Sequence, residues 1–215
     1  MPLEIIKRTF GPVQNNTFIL VDSDLKQAVV IDPAFRPVMV NADLQRNQLR
    51  LSAIWITHAH FDHLGGVESL LESHPQPIQV GLHPADLPLW QAGAGAELFG
   101  QNFSMSSEPN LSFADGQILN IGVHTVKVLH TPGHSPGHVV FYIEELSTAL
   151  VGDLIFRGGV GRTDLPGGDS RVLLQSIEEK ILTLPAETAL LPGHGPSTTV
   201  EMEKKTNPYL NGYIY

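Results

Sequence analysis

Short runs rich in Val, Ile, Leu, Phe and Thr recur along the chain at the length of β-strands: Asn16–Asp22, Ala28–Asp32, Ala53–Thr57, Ile78–Leu82, Val123–Leu129, Val139–Ile143, Thr148–Gly152 and Thr188–Leu191. Most are apolar almost without interruption, as strands covered on both faces are. Segments of helical period lie between them. Asp169-Ser170 followed by Val172, Leu173, Ile177, Ile181 and Leu184 predicts a capped helix. Val38–Leu49, Leu64–Glu72 and a short segment opened by Pro84 predict others, and Val200–Asn207 predicts a last helix stopped by Pro208. Strands and helices interleaved in this order predict a layered α/β protein with sheets inside and helices outside. The stretch Gln91–Ser107, rich in Gly, Ala and Ser yet carrying Leu98, Phe99 and Phe103, reads equally as a mobile loop beside a pocket and as a long surface connection.

Four of the apolar runs end in side chains that bind metals. AIWIT precedes His58-Ala-His60-Phe-Asp62-His63, VKVLH precedes Thr-Pro-Gly-His134, TALVG precedes Asp153, and ALLPG precedes His194. A strand end is a rigid place from which to project a side chain, and sites in open α/β sheets gather at such edges. His58 and His60, two apart in extended chain, point the same way and can share one ion. Asp62 and His63 can turn toward a second ion as the chain enters the helix at Leu64, with Gly65-Gly66 letting the backbone bend closely. A single histidine at a strand end is more often structural. Three histidines and an aspartate within six residues pack poorly and repel once protonated, which favours metal binding. His74, His83, His124 and His130 are expected at ordinary surface or core positions, His130 alone lying near enough to His134 in sequence to stand behind it.

Composition narrows the chemistry. The 215 residues, 42% apolar and 16% charged, suit one sizeable globular domain with one site. The formal charge of −9 disfavours nucleic acid as a partner. With no cysteine in the chain, any metal is held by His and carboxylate, a donor set that suits zinc and also accepts iron or manganese. The start, MPLEIIKRTF, has charges where a secretory signal needs an apolar run, and no stretch approaches the roughly 20 apolar residues of a membrane span. A cytoplasmic protein with no membrane partner, a monomer or small homo-oligomer, is expected.

Together, THAHFDH at Thr57–His63, HTPGHSPGH at His130–His138, GDLIFRGGVGRTD at Gly152–Asp164 and PGHGPST at Pro192–Thr198 resemble the metallo-β-lactamase superfamily. Within it they resemble the glyoxalase II-like (hydroxyacylglutathione hydrolase) branch in its short bacterial form, over almost the whole chain. The resemblance implies one domain over residues 1–215, a four-layer αββα sandwich of two mixed β-sheets flanked by helices, with the site along one sheet edge. It implies two divalent metal ions: one held by His58, His60 and His134, a second by Asp62, His63 and His194, with Asp153 bridging. His138 then orients neighbours and Asp32, in VVIDP, stands behind a ligand histidine. The C-terminal helical domain with which the longer enzymes grip glutathione is not expected here. Arg162 falls on a basic position of those enzymes, but no Tyr follows it.

The expected reaction is hydrolysis of an anionic thioester such as S-lactoylglutathione. Two dications less two carboxylates and a hydroxide leave the site positive by about one charge, which draws an anion. Asp62 and Asp153 are the carboxylates expected to act in catalysis, Asp153 by holding the attacking hydroxide in line, and Arg162 is expected to pair with a substrate carboxylate or else to be locked to Asp164 or Asp169. Rival expectations are a persulfide dioxygenase with one iron at the equivalents of His58, His134 and Asp153, and a metal-binding protein without catalysis. A β-lactamase is disfavoured by the missing signal peptide, and a nuclease by the lack of room for an inserted domain.

Overall fold

The computed structural model describes residues 3–11 and 13–212. Strands β1 (Leu3–Phe10), β2 (Asn15–Asp22) and β3 (Gln27–Ile31) form an antiparallel meander, and α1 (Val38–Arg46) leads into β4 (Arg50–Trp55), parallel to β3. Helices α2 (Phe61–Leu64) and α3 (Val67–Ser73) connect β4 to β5 (Gln79–Leu82), and α4 (Leu87–Gln91) precedes β6 (Leu111–Ser112), which completes a mixed sheet in the order β1-β2-β3-β4-β5-β6. The second half begins with β7 (Ile118–Ile121), β8 (His124–His130), β9 (Val139–Ile143) and β10 (Thr148–Gly152). A hairpin of β11 (Ile155–Phe156) and β12 (Gly159–Val160), helix α5 (Ser170–Ser176), β13 (Ala189–Pro192), β14 (Thr198–Thr199) and α6 (Val200–Thr206) follow. Its sheet runs β14-β13-β10-β9-β8-β7 and is also mixed, because β13 is parallel to β10 and the other pairs are antiparallel.

Strand periodicity sorts the buried residues into three cores and so builds four layers. Along β2, Ile19 and Val21 face the core shared with α1–α4, whereas Phe18 and Leu20 face the space between the sheets. In β9 and β10, Phe141 and Leu150 fill the same inter-sheet core, while Val140, Ala149 and Val151 meet Leu173, Ile177 and Ile181 of the helix on the far side. The expected αββα sandwich of two mixed sheets is the fold observed. Among the described residues, no helix is long and apolar enough to cross a membrane.

Several elements differ from the sequence reading, among them the two-residue strands β6, β11, β12 and β14, which are too short to leave an apolar run. Strand β1 carries Glu4, Lys7 and Arg8 because it is an edge strand with much of its surface open to solvent, so its apolar signal is diluted. The predicted helix Val38–Leu49 stops at Arg46: Gln48 turns left-handed (φ 55°) and Leu49 N–H donates back to Leu44 O at 2.8 Å. The predicted helix Leu64–Glu72 is two helices broken at Gly65-Gly66, where Gly66 N–H donates to Pro33 O at 2.8 Å and any β-carbon would meet Ala34 O at 2.5 Å. Strand β7 was not anticipated, since Ile118 and Asn120 face outward from an edge. The Asp169 cap stands as expected, accepting from Arg171 N and Val172 N at 2.9 and 3.0 Å, and α5 continues as a π turn over Ile177–Ile181.

Candidate metal centre

The two sheets are stitched together along one edge. Val139 N–H donates to Thr57 O at 2.8 Å and Asn16 N–H donates to Gly193 O at 2.7 Å. The ends of β4, β8, β10 and β13 open onto this edge, which brings His58, His60, Asp62, His63, His134, Asp153 and His194 together although they span some 140 positions of sequence. The parallel register Gly152↔Pro192 sends Asp153 and His194 out side by side. Gly193 between them has to be glycine, because a β-carbon would run into Asp153 Oδ1 and lie 2.7 Å from His63 Cε1.

The cluster falls into two groups. His58, His60 and His134 form one, with His58 Nε2 3.2 Å from His134 Nε2 and the His60 ring centroid 4.6 to 4.7 Å from those of both partners. Asp62, His63 and His194 form the other, with His63 Nε2 3.3 Å from His194 Nε2 and Asp62 Oδ2 3.2 Å from His194 Nε2. Asp153 lies between them, its carboxylate 3.6 Å from His63, 3.5 Å from His194 and 3.8 Å from His134.

The outward ring nitrogens decide what the inward ones can do. His134 Nδ1 donates to Arg162 O at 2.8 Å, His194 Nδ1 to Val13 O at 2.9 Å, and His63 Nδ1 to Asp32 Oδ2 at 3.0 Å. Thr57 Oγ1 donates to Asp32 Oδ2 at 2.6 Å and therefore accepts from His58 Nδ1 at 3.0 Å. In four histidines the proton thus sits on Nδ1, and Nε2 points its lone pair into the cluster. Two such lone pairs 3.2 Å apart repel unless a cation or proton lies between them. Asp153 Oδ1 is buried without a hydrogen-bond partner, which again suits a cation. The residues present therefore fit a pair of metal ions.

Electrostatics separates the halves. Burial, reinforced by the neighbouring imidazoles, pushes His58 far below its ordinary pKa and His60 down to about 3; burial lowers His134 too. Burial acts against ionisation of Asp62 and Asp153, but His63 and His194 outweigh it, holding Asp62 at about 2 and Asp153 below the usual carboxylate range. Burial likewise opposes charge on His63 and His194, yet Asp62 and Asp153 raise both. Without metal, one group is thus three neutral imidazoles and the other holds imidazolium–carboxylate pairs, whose Nε2 protons a bound cation would displace to free the inward lone pairs.

Asp32 lies close enough to His58 and His63 to be read as part of a third ligand group. Its carboxylate is already filled, however, by Thr57 N at 2.8 Å, Thr57 Oγ1 and His63 Nδ1, so its place is behind the ligands. His138 is fully buried; its Nε2 accepts from Asp153 N at 3.2 Å, and its Nδ1 donates to Thr131 Oγ1 at 2.9 Å. Arg162 contributes its carbonyl to His134, while its guanidinium is bound by Asp164 through two hydrogen bonds of 2.7 and 2.8 Å and not by Asp169. Residues 91–107 do lie beside the cluster, a β-carbon at Gly95 falling 3.9 Å from His60 Cδ2. His74 bonds Asn41, His124 pairs with Glu145, and His83 and His130 stack at 4.0 Å, all outside the cluster.

Three supporting residues went unnoticed in the sequence. Asn15 Nδ2 donates to Asp62 O at 3.2 Å. Thr57 carries the link from His58 to Asp32. Asp86, fully buried, accepts from Ala59 N at 2.9 Å, from Ser135 Oγ at 2.7 Å and from Gly137 N, tying the His58–His60 loop to the His134 loop. Only Thr57 carried a signal, by standing next to the motif.

Residues 10–194 match the family model described as the metallo-beta-lactamase superfamily. Among curated relatives, "Probable metallo-hydrolase YqgX" of Bacillus subtilis is 39% identical over 94% of this chain and 95% of its own. "Hydroxyacylglutathione hydrolase GloC" of Haemophilus influenzae is 35% identical over 98% of this chain and 99% of its own. Among solved structures, BLEG-1 B3 metallo-beta-lactamase superposes with a TM-score of 0.90 at 38% identity over 97% of this chain and 100% of that one. TTHA1623 in a di-iron-bound form superposes at 0.85 with 43% identity over 95% of this chain and 100% of that one.

Proposed function

Because the chain belongs to the metallo-β-lactamase superfamily, we propose that it is a metal-dependent hydrolase of thioesters, acting as a hydroxyacylglutathione hydrolase does on substrates of the S-lactoylglutathione type. The observation that carries this reading is the set of four Nε2 lone pairs aimed inward around the bare Asp153 carboxylate. His58, His60 and His134 would hold one ion, Asp62, His63 and His194 the other, with Asp153 between.

Divalent ions held there supply Lewis acidity and lower the pKa of a bound water from 15.7 to about 7, so no serine or cysteine nucleophile is needed. The chain's own part is orientation. His138 fixes the Asp153 backbone, Asn15 fixes Asp62, and Asp32 sets the tautomers of His63 and, through Thr57, of His58. Asp153, kept ionised by His63 and His194, can accept a proton bond from attacking solvent and hold it in line. A thiolate leaves readily, free thiols having a pKa near 8.5, which suits a site with no separate general acid beside it. The GloC relative supports the substrate class.

Purified protein is tested for metal content and for turnover of a thioester panel that includes S-lactoylglutathione. A β-lactam and oxygen uptake on glutathione persulfide serve as the competing arms. Two ions per chain with thioester turnover is the expected result. One iron per chain with oxygen uptake would replace this reading with the dioxygenase, and stoichiometric metal without any turnover would leave a binding protein.

A further inference from the structure

Apolar side chains stand exposed near the metal ligands. Phe35, Leu98 and Phe99 are 45%, 60% and 47% exposed, in contrast to the buried aromatics of the core. Two of them, Phe35 and Phe99, flank Phe61, the residue between the ligands His60 and Asp62. The Phe61 ring lies 5.4 Å from that of Phe99 and 6.1 Å from that of Phe35. Phe61 N–H donates to Ala94 O at 3.0 Å, and Gly95 abuts His60, so the segment bearing Leu98 and Phe99 stands directly against the cluster. On its other side Phe99 meets the Arg162 guanidinium, 5.7 Å from the ring centroid, and the carbonyl of that same arginine anchors His134. Phe99 therefore lies between Phe61 of the first ligand motif and the side chain of the residue whose carbonyl anchors His134.

The wall is braced. Glu68 accepts from Ser106 N, Ser107 N and Ser107 Oγ, each at 2.9 Å, and Trp90 Nε1 donates to Ser107 O at 3.0 Å, closing the base of the segment. Phe103 supports Phe35 edge-on at 5.7 Å. The cation beside the wall is already engaged, because Asp164 grips Arg162 through both its oxygens. A substrate carboxylate would have to displace Asp164 to reach it. An exposed apolar surface continuous with a polar catalytic cleft is the usual form of a ligand subsite.

Resting on the thioester part of that reading and departing from its small lactoyl group, we infer that Phe35, Phe61 and Phe99 form the subsite for the acyl group, and that the preferred substrates carry a bulky apolar or aromatic acyl chain. Phe61 follows His60 and precedes Asp62 in the chain, which ties this ring cluster to ligands of both groups. Arg162 steadies Phe99 and does not pair with a substrate anion.

The test uses thioesters of one neutral thiol, N-acetylcysteamine, with acetyl, succinyl, hexanoyl and phenylacetyl groups, on wild-type protein and the variants Phe99→Ala and Arg162→Gln, each checked for unchanged metal content. kcat/KM is expected to rise from acetyl to phenylacetyl, and Phe99→Ala to cut the phenylacetyl-to-acetyl ratio about tenfold, mainly through KM. Arg162→Gln is expected to leave the succinyl-to-acetyl ratio as it is in wild type. A flat acyl series, an equal loss on every substrate in Phe99→Ala, or a loss confined to succinyl in Arg162→Gln overturns the inference. If no thioester turns over, the hydrolase reading fails, and calorimetry with ketone analogues, in which CH2 replaces sulfur, still decides the subsite. Tighter binding of the phenylacetyl analogue, weakened by Phe99→Ala, upholds it, and equal binding of all analogues overturns it.

Discussion

Replacing Asp32 with Asn isolates the tautomer argument. The residue is 2% exposed and has a φ of 49°, a conformation Asn tolerates as well as Asp does, so the change adds no backbone strain. Three donors converge on the carboxylate: Thr57 N on Oδ1, and Thr57 Oγ1 and His63 Nδ1 on Oδ2. If the amide oxygen stays on Thr57 N, the new NH2 opposes the His63 Nδ1 proton, and His63 must move that proton to Nε2, removing a lone pair from the cluster. If the amide flips, NH2 faces a buried backbone N–H instead. Either arrangement leaves one buried donor unmatched, at about 1–3 kcal/mol in stability. Loss of a partner behind a metal-bound histidine typically weakens metal binding by about 10- to 100-fold. The loss should fall on the ion at Asp62, His63 and His194, with a smaller effect at His58, which feels Asp32 only through Thr57. Competition against a chelator, followed by metal analysis, measures the two affinities separately. Wild-type affinity for both ions, or a larger loss at the His58, His60 and His134 group, would refute the reasoning.

Asp86→Ala leaves the Ala59, Ser135 and Gly137 donors without their shared acceptor, and denaturant titration should show about 3 kcal/mol lost. Gly193→Ala should abolish turnover while far-UV circular dichroism stays native, because the added methyl intrudes on Asp153 and His63. In metal-free protein, His60, lowered to about 3, refuses a proton that the unfolded chain takes up below about pH 6.5, so stability falls on acidification by up to about 1.4 kcal/mol per pH unit from this group. His63 and His194, raised in the folded state, contribute stability that is full below about pH 6.5 and is lost as pH rises through their folded values. Melting of the metal-free protein against pH should therefore peak near pH 6.5, and a curve rising steadily through pH 8 would contradict the assignment of His63 and His194.

The layered fold and the meeting of the seven side chains were legible because both depend on local pattern. Apolar runs of strand length mark β2, β3, β4, β8, β9, β10 and β13, and each ligand follows such a run at once or after a short turn, so placing the strands in sheets places the ligands at an edge. What stayed hidden depends on partners distant in sequence. Val13 O receives His194 from 181 positions away, and Asp86 meets Gly137 from 51 positions away; neither residue type announces such a contact. The split of Leu64–Glu72 at Gly66 was likewise invisible, since it answers to the carbonyls of Pro33 and Ala34. The loop at Gly161 belongs with these: a β-carbon there would collide with Asp153 O and lie 3.3 Å from His134 Nδ1, a constraint set by packing of the site and not by any turn signal.

Anomalous diffraction from crystals of the protein grown with metal bound, recorded on either side of the metal's absorption edge, tests the two-ion cluster most directly. Two peaks about 3.5–4 Å apart are expected, one amid His58, His60 and His134 and the other amid Asp62, His63 and His194, with Asp153 touching both. A single peak, or peaks bound elsewhere while these histidines keep their Nε2 atoms turned to one another, would contradict it.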